Sequence, residues 1–263
     1  MKKIKYCLAL IFIGMLPLLS LASIEVLGSL KHLHSGIGGD TIRGEIKLHN
    51  SEEMDQEVRI YQTDLLYNYE DYTFYDEPVT HERSNASWIN YSPKTLIVKG
   101  KENRFIQYEI VIPKTDTLSG TFWSIIMIEG VNPIDPEQKG ELNINTVTRY
   151  AIQMVTEIEN KGMGALTFLN PTLITEGDNL YLAVDIVNTG QHYIAPELSM
   201  ELFDETGKSV KVITSSKKGI YPKTSVRFRL NLKGVESKKT YQCLIIADGK
   251  EEDVFGIDYV LYF

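Results

Sequence analysis

Two histidines, His32 and His34, are the residues of the sequence that most suggest metal chemistry. Side chains two positions apart on a β-strand lie on the same face, so the two imidazoles could begin a metal site. No further ligand-type residue completes the set nearby, and His49 and His81 would reach the pair only through folding. We therefore interpret both as strand histidines and expect neither a metal nor any other cofactor.

Paired carboxylates are the second chemical feature of the sequence. They occur at Glu52-Glu53, Glu70-Asp71, Asp76-Glu77 and Glu251-Glu252, in segments typical of turns or strand ends. Catalytic carboxylate pairs need a buried cleft that separates their pKa values, whereas turn positions are solvated. The sequence also lacks GxSxG, HExxH and paired CxxC motifs. We predict that the protein is not an enzyme and has no catalytic residues.

Aromatic rings are concentrated in the stretch YNYEDYTFYDEP, residues 67–78. We predict a hairpin turn at residues 68–71 and then a short edge strand, whose charges and proline protect the edge from unwanted pairing. Tyr67, Tyr69 and Tyr75 are the rings that we expect to be exposed. They could form an aromatic platform for peptidoglycan or another envelope glycan, and this is the alternative to a purely structural hairpin.

Short segments of alternating polarity position these residues. TIRGEIKL, residues 41–48, alternates apolar and polar side chains, which is typical of a strand with one face in water. Similar segments follow along the whole sequence, and no long segment has a helical period. A polar, glycine-containing break, ENKGMGA, separates two sets of strands. The predicted fold class is all-β, with two consecutive immunoglobulin-like β-sandwiches at residues 23–160 and 161–263.

The N-terminal segment, residues 1–22, has the features of a cleaved signal peptide. Three lysines precede a long apolar run, and small residues stand where a signal peptidase reads. Loss of those three lysines takes the formal charge from −8 to −11. An acidic surface disfavours nucleic acid, which basic residues bind. We expect a periplasmic or secreted protein that does not span a membrane after signal removal and, with Cys243 as its one cysteine, has no internal disulfide.

Residues 83–130 carry a family-like pattern. It consists of Trp88 with Pro93, an apolar strand, the step Ile112-Pro113, and Gly120 before an aromatic strand that ends Met127-Ile128-Glu129. This pattern resembles the N-terminal sandwich of PapD-like periplasmic chaperones. It is also similar to the immunoglobulin-like domain of surface proteins that interact with WxL proteins and peptidoglycan, and the second half of the sequence is similar to the domain that follows there. The chaperone resemblance implies a protein that lends an edge strand to an exported subunit or adhesin, a mode called β-strand addition.

The same resemblance implies the elements of a partner-binding site. The long segment 142–158, with Tyr150, Ile152 and Met154 on one parity, is the candidate edge strand. The alternative is an ordinary last strand of the sandwich followed by the interdomain connection. The chaperone family holds a subunit's terminal carboxylate with one basic residue on the first strand of the first domain and another on its last strand. Lys31 and Arg149 lie near those two positions, and solvated strand charges are the alternative for both.

Overall fold

The computed structural model describes residues 24–131, 147–159, 162–249 and 253–263. The predicted signal peptide lies outside these residues. As predicted, the protein is all-β and forms two immunoglobulin-like sandwiches, with a single turn of 3-10 helix described at Ala86–Trp88. Within the described ranges, no helix has the length and apolar character needed to cross a membrane.

The first sandwich packs two sheets face to face. Its described strands are β1 (Ile24–Leu27), β2 (Lys31–Gly36), β3 (Thr41–Asn50), β4 (Gln56–Tyr67), β5 (Thr73–Asp76), β6 (Ile89–Ser92), β7 (Thr95–Val98), β8 (Asn103–Val111), β9 (Gly120–Val131) and β10 (Arg149–Ile158). One sheet has the order β1-β3-β8-β6, and the other has the order β2-β10-β9-β4-β5 with β7 also paired to β4. Alternate side chains of both sheets, such as the fully buried Ile46, Ile106 and Ile126, fill the core.

The second sandwich has the same general plan. Its described strands are β11 (Leu166–Phe168), β12 (Thr172–Glu176), β13 (Asn179–Asn188), β14 (Glu197–Phe203), β15 (Ser209–Thr214), β16 (Ser225–Asn231), β17 (Thr240–Asp248) and β18 (Val254–Tyr262). In one sheet β13 pairs with β11, β12 and β16, and the other sheet has the order β15-β14-β17-β18. The Tyr241 hydroxyl donates to the Glu236 carbonyl at 3.0 Å, which forms the tyrosine corner found in many immunoglobulin-like domains.

The change from one sandwich to the other falls between the end of β10 and the start of β11. Among the described residues, no strand of the first sandwich pairs with a strand of the second. The boundary that the sequence predicts, between residues 160 and 161, lies in this interval but outside the described residues.

The N-terminal part of the chain contributes to both sheets of the first sandwich. β1 pairs antiparallel with β3, and after Gly28 the chain crosses over so that β2 pairs parallel with β10. Gly28 has a φ of +110°, which glycine adopts without steric cost. β2 begins with Lys31 as the register partner of Gln153, so it covers only the second part of β10.

The tyrosine-rich stretch forms the predicted hairpin between β4 and β5. The Asn68 N–H donates to the Tyr72 carbonyl at 3.1 Å, and the Asp71 N–H donates to the Asn68 carbonyl at 3.2 Å. β5 is the predicted edge strand and pairs with β4 on its other side. Tyr72 and Phe74 share one face, as expected, and their exposed rings stack with centroids 6.0 Å apart.

Candidate partner-binding cleft

One face of the β2-β10-β9-β4 sheet points away from the core of the first sandwich and toward the second sandwich. The strand register arranges the residues of this face in rows that run across the sheet. From the outer end inward, the rows are Arg59, Glu129 and Arg149; Tyr61, Met127 and Ala151; Thr63, Ile125, Gln153 and Lys31; and Trp123, Val155 and Leu33. The inner rows form an apolar cluster with Tyr193 and Tyr221 of the second sandwich.

Aromatic stacking joins the two sandwiches. The Trp123 indole stacks on the Tyr221 ring with centroids 4.5 Å apart and on the other side contacts the His81 ring at 4.4 Å. Trp123 Nε1 donates to the Leu65 carbonyl at 2.8 Å, so the indole is held in both its position and its orientation. A buried aromatic contact of this kind favours one relative arrangement of the two sandwiches.

Main-chain hydrogen bonds reinforce this arrangement. The Thr121 N–H donates to the Gln191 carbonyl at 2.9 Å, and the Tyr193 N–H donates to Thr121 Oγ1 at 2.7 Å. Gly120 allows this close approach, because a Cβ at this position would lie 2.0 Å from the Gln191 carbonyl oxygen. The angle between the sandwiches is therefore fixed by specific contacts, and the cleft between them has defined walls.

Lys31 lines this cleft, which has a volume of about 290 Å³. Its ammonium donates to the Tyr193 hydroxyl oxygen at 2.9 Å and lies 5.3 Å from the centroid of the Tyr221 ring. Beside it, Gln153 Oε1 accepts a hydrogen bond from the Tyr221 hydroxyl at 2.7 Å. None of the salt bridges formed by the described residues involves Lys31. A cation next to aromatic rings and without an acidic partner is suited to bind a carboxylate.

Arg149 does not lie next to Lys31. The register partner of Arg149 is Glu129 on β9, whereas the register partner of Lys31 is Gln153 on β10. The distance between Arg149 and Gln153 along an extended strand is roughly 13 Å. Arg149 also forms a salt bridge to Glu129 at 2.7 Å. The two basic residues suggested by the chaperone resemblance therefore face separate surroundings, and the residue of β10 beside Lys31 is Gln153.

The first part of β10 has a free edge. β9 pairs with β10 over the whole of Arg149–Ile158, but β2 begins only at Gln153. On that side, residues 149–152 have no partner strand among the described residues. The Leu30 carbonyl accepts the Gln153 N–H at 2.8 Å, and this bond marks the end of the free edge. Unpaired N–H and C=O groups of such an edge are a template for another strand.

The apolar side chains expected to contact a partner face the core instead. Ile152 and Met154 are fully buried in the first sandwich, and the Tyr150 hydroxyl donates to the Ile24 carbonyl at 2.7 Å. The described part of the segment 142–158 is the last strand of the first sandwich and also carries the free edge that the edge-strand interpretation requires, while residues 142–146 lie outside the described ranges. By packing in the core, these three side chains fix the position of the β10 backbone. The N–H and C=O groups of that backbone form the free edge.

Of the three tyrosines expected to be exposed, Tyr67 and Tyr69 are only partly exposed. Tyr67 donates its hydroxyl hydrogen to the Gly219 carbonyl at 2.8 Å, and burial raises its pKa to about 12. The Tyr69 N–H donates to Ser225 Oγ at 3.1 Å, so this residue also contacts the second sandwich. Tyr75 is 50% exposed and lines the cleft. Sequence patterning could not show that Tyr67 and Tyr69 contact the second sandwich, because these contacts join segments far apart in the sequence.

His32 and His34 lie on one face of β2, as predicted, and both contact Tyr108 of the opposite sheet. His32 Nδ1 lies 3.0 Å and His34 Nε2 lies 3.2 Å from the Tyr108 hydroxyl. Burial lowers the pKa of both imidazoles, and the neighbouring His32 lowers the pKa of His34 further. Across the described ranges, no group of three or more His, Cys, Asp or Glu side chains is placed to hold a metal ion. The pair fastens β2 to the opposite sheet.

A serine, a histidine and an aspartate also meet beside the domain interface. Ser84 Oγ donates to Asp64 Oδ1 at 2.6 Å, and His81 Nε2 lies 3.7 Å from Asp64 Oδ2. The buried carboxylate also accepts the Thr80 N–H at 2.7 Å. A nucleophilic serine would have to bond to the histidine, but this hydroxyl bonds to the aspartate. The arrangement orders the loop before the 3-10 helix.

Comparison with known proteins identifies the fold. No family model matches the sequence, and no curated protein matches it. Among similar solved structures, a chain from a chaperone–tip adhesin complex that is vital for synergistic activation of CFA/I fimbriae biogenesis is 13% identical, with a TM-score of 0.51. That match covers 91% of this chain and 98% of the other. The class 5 fimbriae chaperone CfaA is 12% identical, with a TM-score of 0.50 and coverage of 90% and 98%.

The predicted resemblance to PapD-like chaperones is therefore confirmed as a resemblance of fold. The similarity to proteins that interact with WxL proteins stays a prediction. The fold places Lys31, Gln153 and loops of the second sandwich around one cleft, and the free edge of β10 precedes Gln153 in the strand.

Proposed function

We propose that this is an exported, non-enzymatic protein that binds the C-terminal strand of an exported subunit or adhesin by β-strand addition. The observation that carries the proposal is that the free edge of β10 ends beside Lys31, whose ammonium lies in the domain cleft and forms no salt bridge with the described residues. Strand addition gives affinity through main-chain hydrogen bonds, and the cation adds recognition of a terminal carboxylate.

The position of β2 and Lys31 favours one direction for the added strand. β2 runs parallel to β10 and starts at Lys31, so a strand on the free edge beside residues 149–152 lies in line with β2. If the added strand is parallel to β10, its C-terminal carboxylate points at Lys31. An antiparallel strand would instead bring an N-terminal ammonium toward the lysine, and like charges repel. The cleft therefore favours a parallel strand that ends at Lys31.

The second sandwich supplies the walls of the carboxylate site. Tyr193 and Tyr221 contact Lys31, and their loops are attached to the first sandwich by the stacking on Trp123 and by the bonds at Thr121. Because these contacts lie within the protein itself, they hold Lys31 in place, and a preorganised site loses little binding free energy to ordering. Two sandwiches are thus needed to build one site.

The two similar solved structures suggest the class of partner. One is a fimbriae chaperone, and the other comes from a complex of a chaperone with a tip adhesin. From them we infer an exported subunit or adhesin as the partner, met in the periplasm or outside the cell. Glycan binding is less well supported, because Tyr67 and Tyr69 are engaged with the second sandwich.

The experiment measures binding of synthetic apolar strand peptides to the protein recovered after export. We expect a peptide with a free C-terminal carboxylate to bind about tenfold more tightly than its C-terminal amide. Lys31→Met should remove the difference. Lys47→Met is the matched control, since Lys47 is also near an aromatic ring, that of Phe105, but lies on β3 of the other sheet.

Two results would contradict the proposal in different ways. Equal binding of the acid and the amide by the unchanged protein would exclude the carboxylate anchor. No binding of either peptide would exclude strand addition at this edge. Circular dichroism of Lys31→Met would verify that the variant is folded before its binding is interpreted.

A further inference from the structure

The outermost row of the cleft face contains a carboxylate held between two arginines. Arg59 on β4, Glu129 on β9 and Arg149 on β10 are register partners on adjacent strands. Arg59 Nη2 lies 2.9 Å from Glu129 Oε1, and Arg149 Nε lies 2.7 Å from Glu129 Oε2. The Tyr61 hydroxyl donates to the same Oε2 at 2.9 Å. One carboxylate is thus shared by two guanidinium groups and a phenol.

This row has a positive charge that remains available to a ligand. The Glu129 side chain is only 11% exposed, whereas the side chains of Arg59 and Arg149 are 57% and 60% exposed. Two cations beside one buried anion leave a net charge of one positive unit at the solvent side of the row. Guanidinium groups have several N–H donors in a planar fork, so an arginine already bonded to one carboxylate can bind a second.

The strand register places this charge at a fixed position relative to the free edge of β10. Arg149 is the first residue of β10, at the outer end of the free edge. The Leu30 carbonyl already accepts the Gln153 N–H, so an added strand cannot pair with Gln153. The last residue of the added strand therefore lies beside Ala151 or Ile152. Counting back along the strand, the residue beside Arg149 is then two or three positions before the C-terminal residue.

We infer that Arg149, supported by Arg59, selects partner strands with an aspartate or glutamate two or three positions before their C-terminal residue. This inference rests on the proposed function, because it needs a parallel strand on the free edge of β10. Lys31 then binds the terminal carboxylate of the partner strand, and Arg149 binds a side-chain carboxylate nearer to its N-terminus. The two charges together set the register of the partner, which apolar alternation alone leaves ambiguous by steps of two residues.

The test compares peptides that differ at one position. All are apolar strand peptides with a free C-terminal carboxylate, and they carry either glutamate or glutamine two or three positions before the last residue. We expect the better glutamate peptide to bind about two- to fivefold more tightly than its glutamine counterpart, the size typical of a partly exposed ion pair. Raising the salt concentration should reduce this preference.

Arg149→Gln should abolish the preference for glutamate and keep the preference for a free C-terminus. Arg43→Gln is the matched control, because Arg43 is also an exposed arginine paired across strands with a glutamate, Glu109, but on the other sheet. If peptide binding depends on Lys31 but shows no preference for glutamate, this inference is overturned and the proposed function stands. A glutamate preference that persists in Arg149→Gln would also overturn it. Failure of all peptides to bind would overturn the proposed function as well.

Discussion

Trp123 of the first sandwich and Tyr221 of the second stack with ring planes 10° from parallel. This contact belongs to a set that includes the Tyr67 hydroxyl and the backbone at Gly120. Because the proposed partner site uses residues from both sandwiches, we expect the stability of the interface and the integrity of the site to be coupled. Substitutions at the interface should therefore change the free energy of unfolding as well as the affinity for a partner.

Gly120→Ala should destabilise the contact between the sandwiches. The added Cβ would meet the Gln191 carbonyl oxygen at 2.0 Å, and the backbone φ of +75° is unfavourable for alanine. Gly207→Ala is the control, since Gly207 has a φ of +79° but no atom within 4 Å of the place that a Cβ would take. We expect the control to lower the free energy of unfolding by about 1 kcal/mol. Gly120→Ala should lower it by roughly 2 kcal/mol or more beyond that, as measured by urea denaturation. Equal effects would show that the close approach is unimportant.

Tyr67→Phe should lower the free energy of unfolding by about 1–2 kcal/mol. The phenol donates to the Gly219 carbonyl at 2.8 Å and accepts from the Tyr221 N–H at 3.2 Å, and its loss leaves both buried groups without that partner. Tyr75→Phe, at a half-exposed position, should change stability by less than about 0.5 kcal/mol. Thermal unfolding followed by fluorescence measures both, and a neutral Tyr67→Phe would contradict the interface described above.

Ile152→Ala should act on stability and not directly on partner contacts. The side chain is fully buried in the first sandwich, so truncation should cost about 2–5 kcal/mol. Ile97→Ala is the control, because Ile97 on β7 is 58% exposed and should change the free energy of unfolding little. Chemical denaturation distinguishes the two. If Ile152→Ala is as stable as the unchanged protein yet binds peptides poorly, the side chain contacts the partner after all.

Stability should decrease as the pH falls below about 6.5 because of His32 and His34. Burial lowers the pKa of both from the ordinary value of 6.5, so the unfolded chain binds more protons than the folded chain. The contribution is fully present above pH 6.5 and is lost as the pH falls toward the folded-state pKa values. Denaturation midpoints at several pH values measure this dependence.

The double variant His32→Gln/His34→Gln should show a smaller loss of stability over the same pH range. His49→Gln serves as the control, because His49 is a histidine of β3 that bonds to Asn103 on the surface. An unchanged pH dependence in the double variant would assign the effect to other groups. The comparison uses the change of the free energy of unfolding with pH and not its absolute value, because removal of the contacts to Tyr108 can lower stability at every pH.

The strands and the hairpin could be predicted from sequence because they depend on local patterns. Alternation placed Ile42, Ile46 and Leu48 of β3 on one parity, and the turn at residues 68–71 follows from its polar residues between two apolar strands. These features depend on side chains within one element and its neighbour. The tandem immunoglobulin-like fold follows from the same evidence.

The site itself could be predicted only in part. Lys31 was found through the family resemblance, but its neighbours Tyr193 and Tyr221 lie in loops of the second sandwich and carry no periodic signal. Gln153 and Arg149 lie on the same face of β10, and only the register with β2 decides which of them is beside Lys31. Long-range pairing has no local signature, so sequence patterning cannot decide which residue of β10 lies beside Lys31.

The parallel pairing of β2 with β10 also constrains how the protein folds. β2 cannot pair before the last strand of the sandwich is present, because Lys31–Gly36 pair with Gln153–Ile158 at the other end of the domain sequence. During synthesis or export from the N-terminus, this sheet cannot be completed until β10 has emerged. Contacts of such large sequence separation slow folding and leave strands unpaired in the meantime. A protein proposed to bind a strand of its partner would thus have unpaired strand edges of its own while it folds.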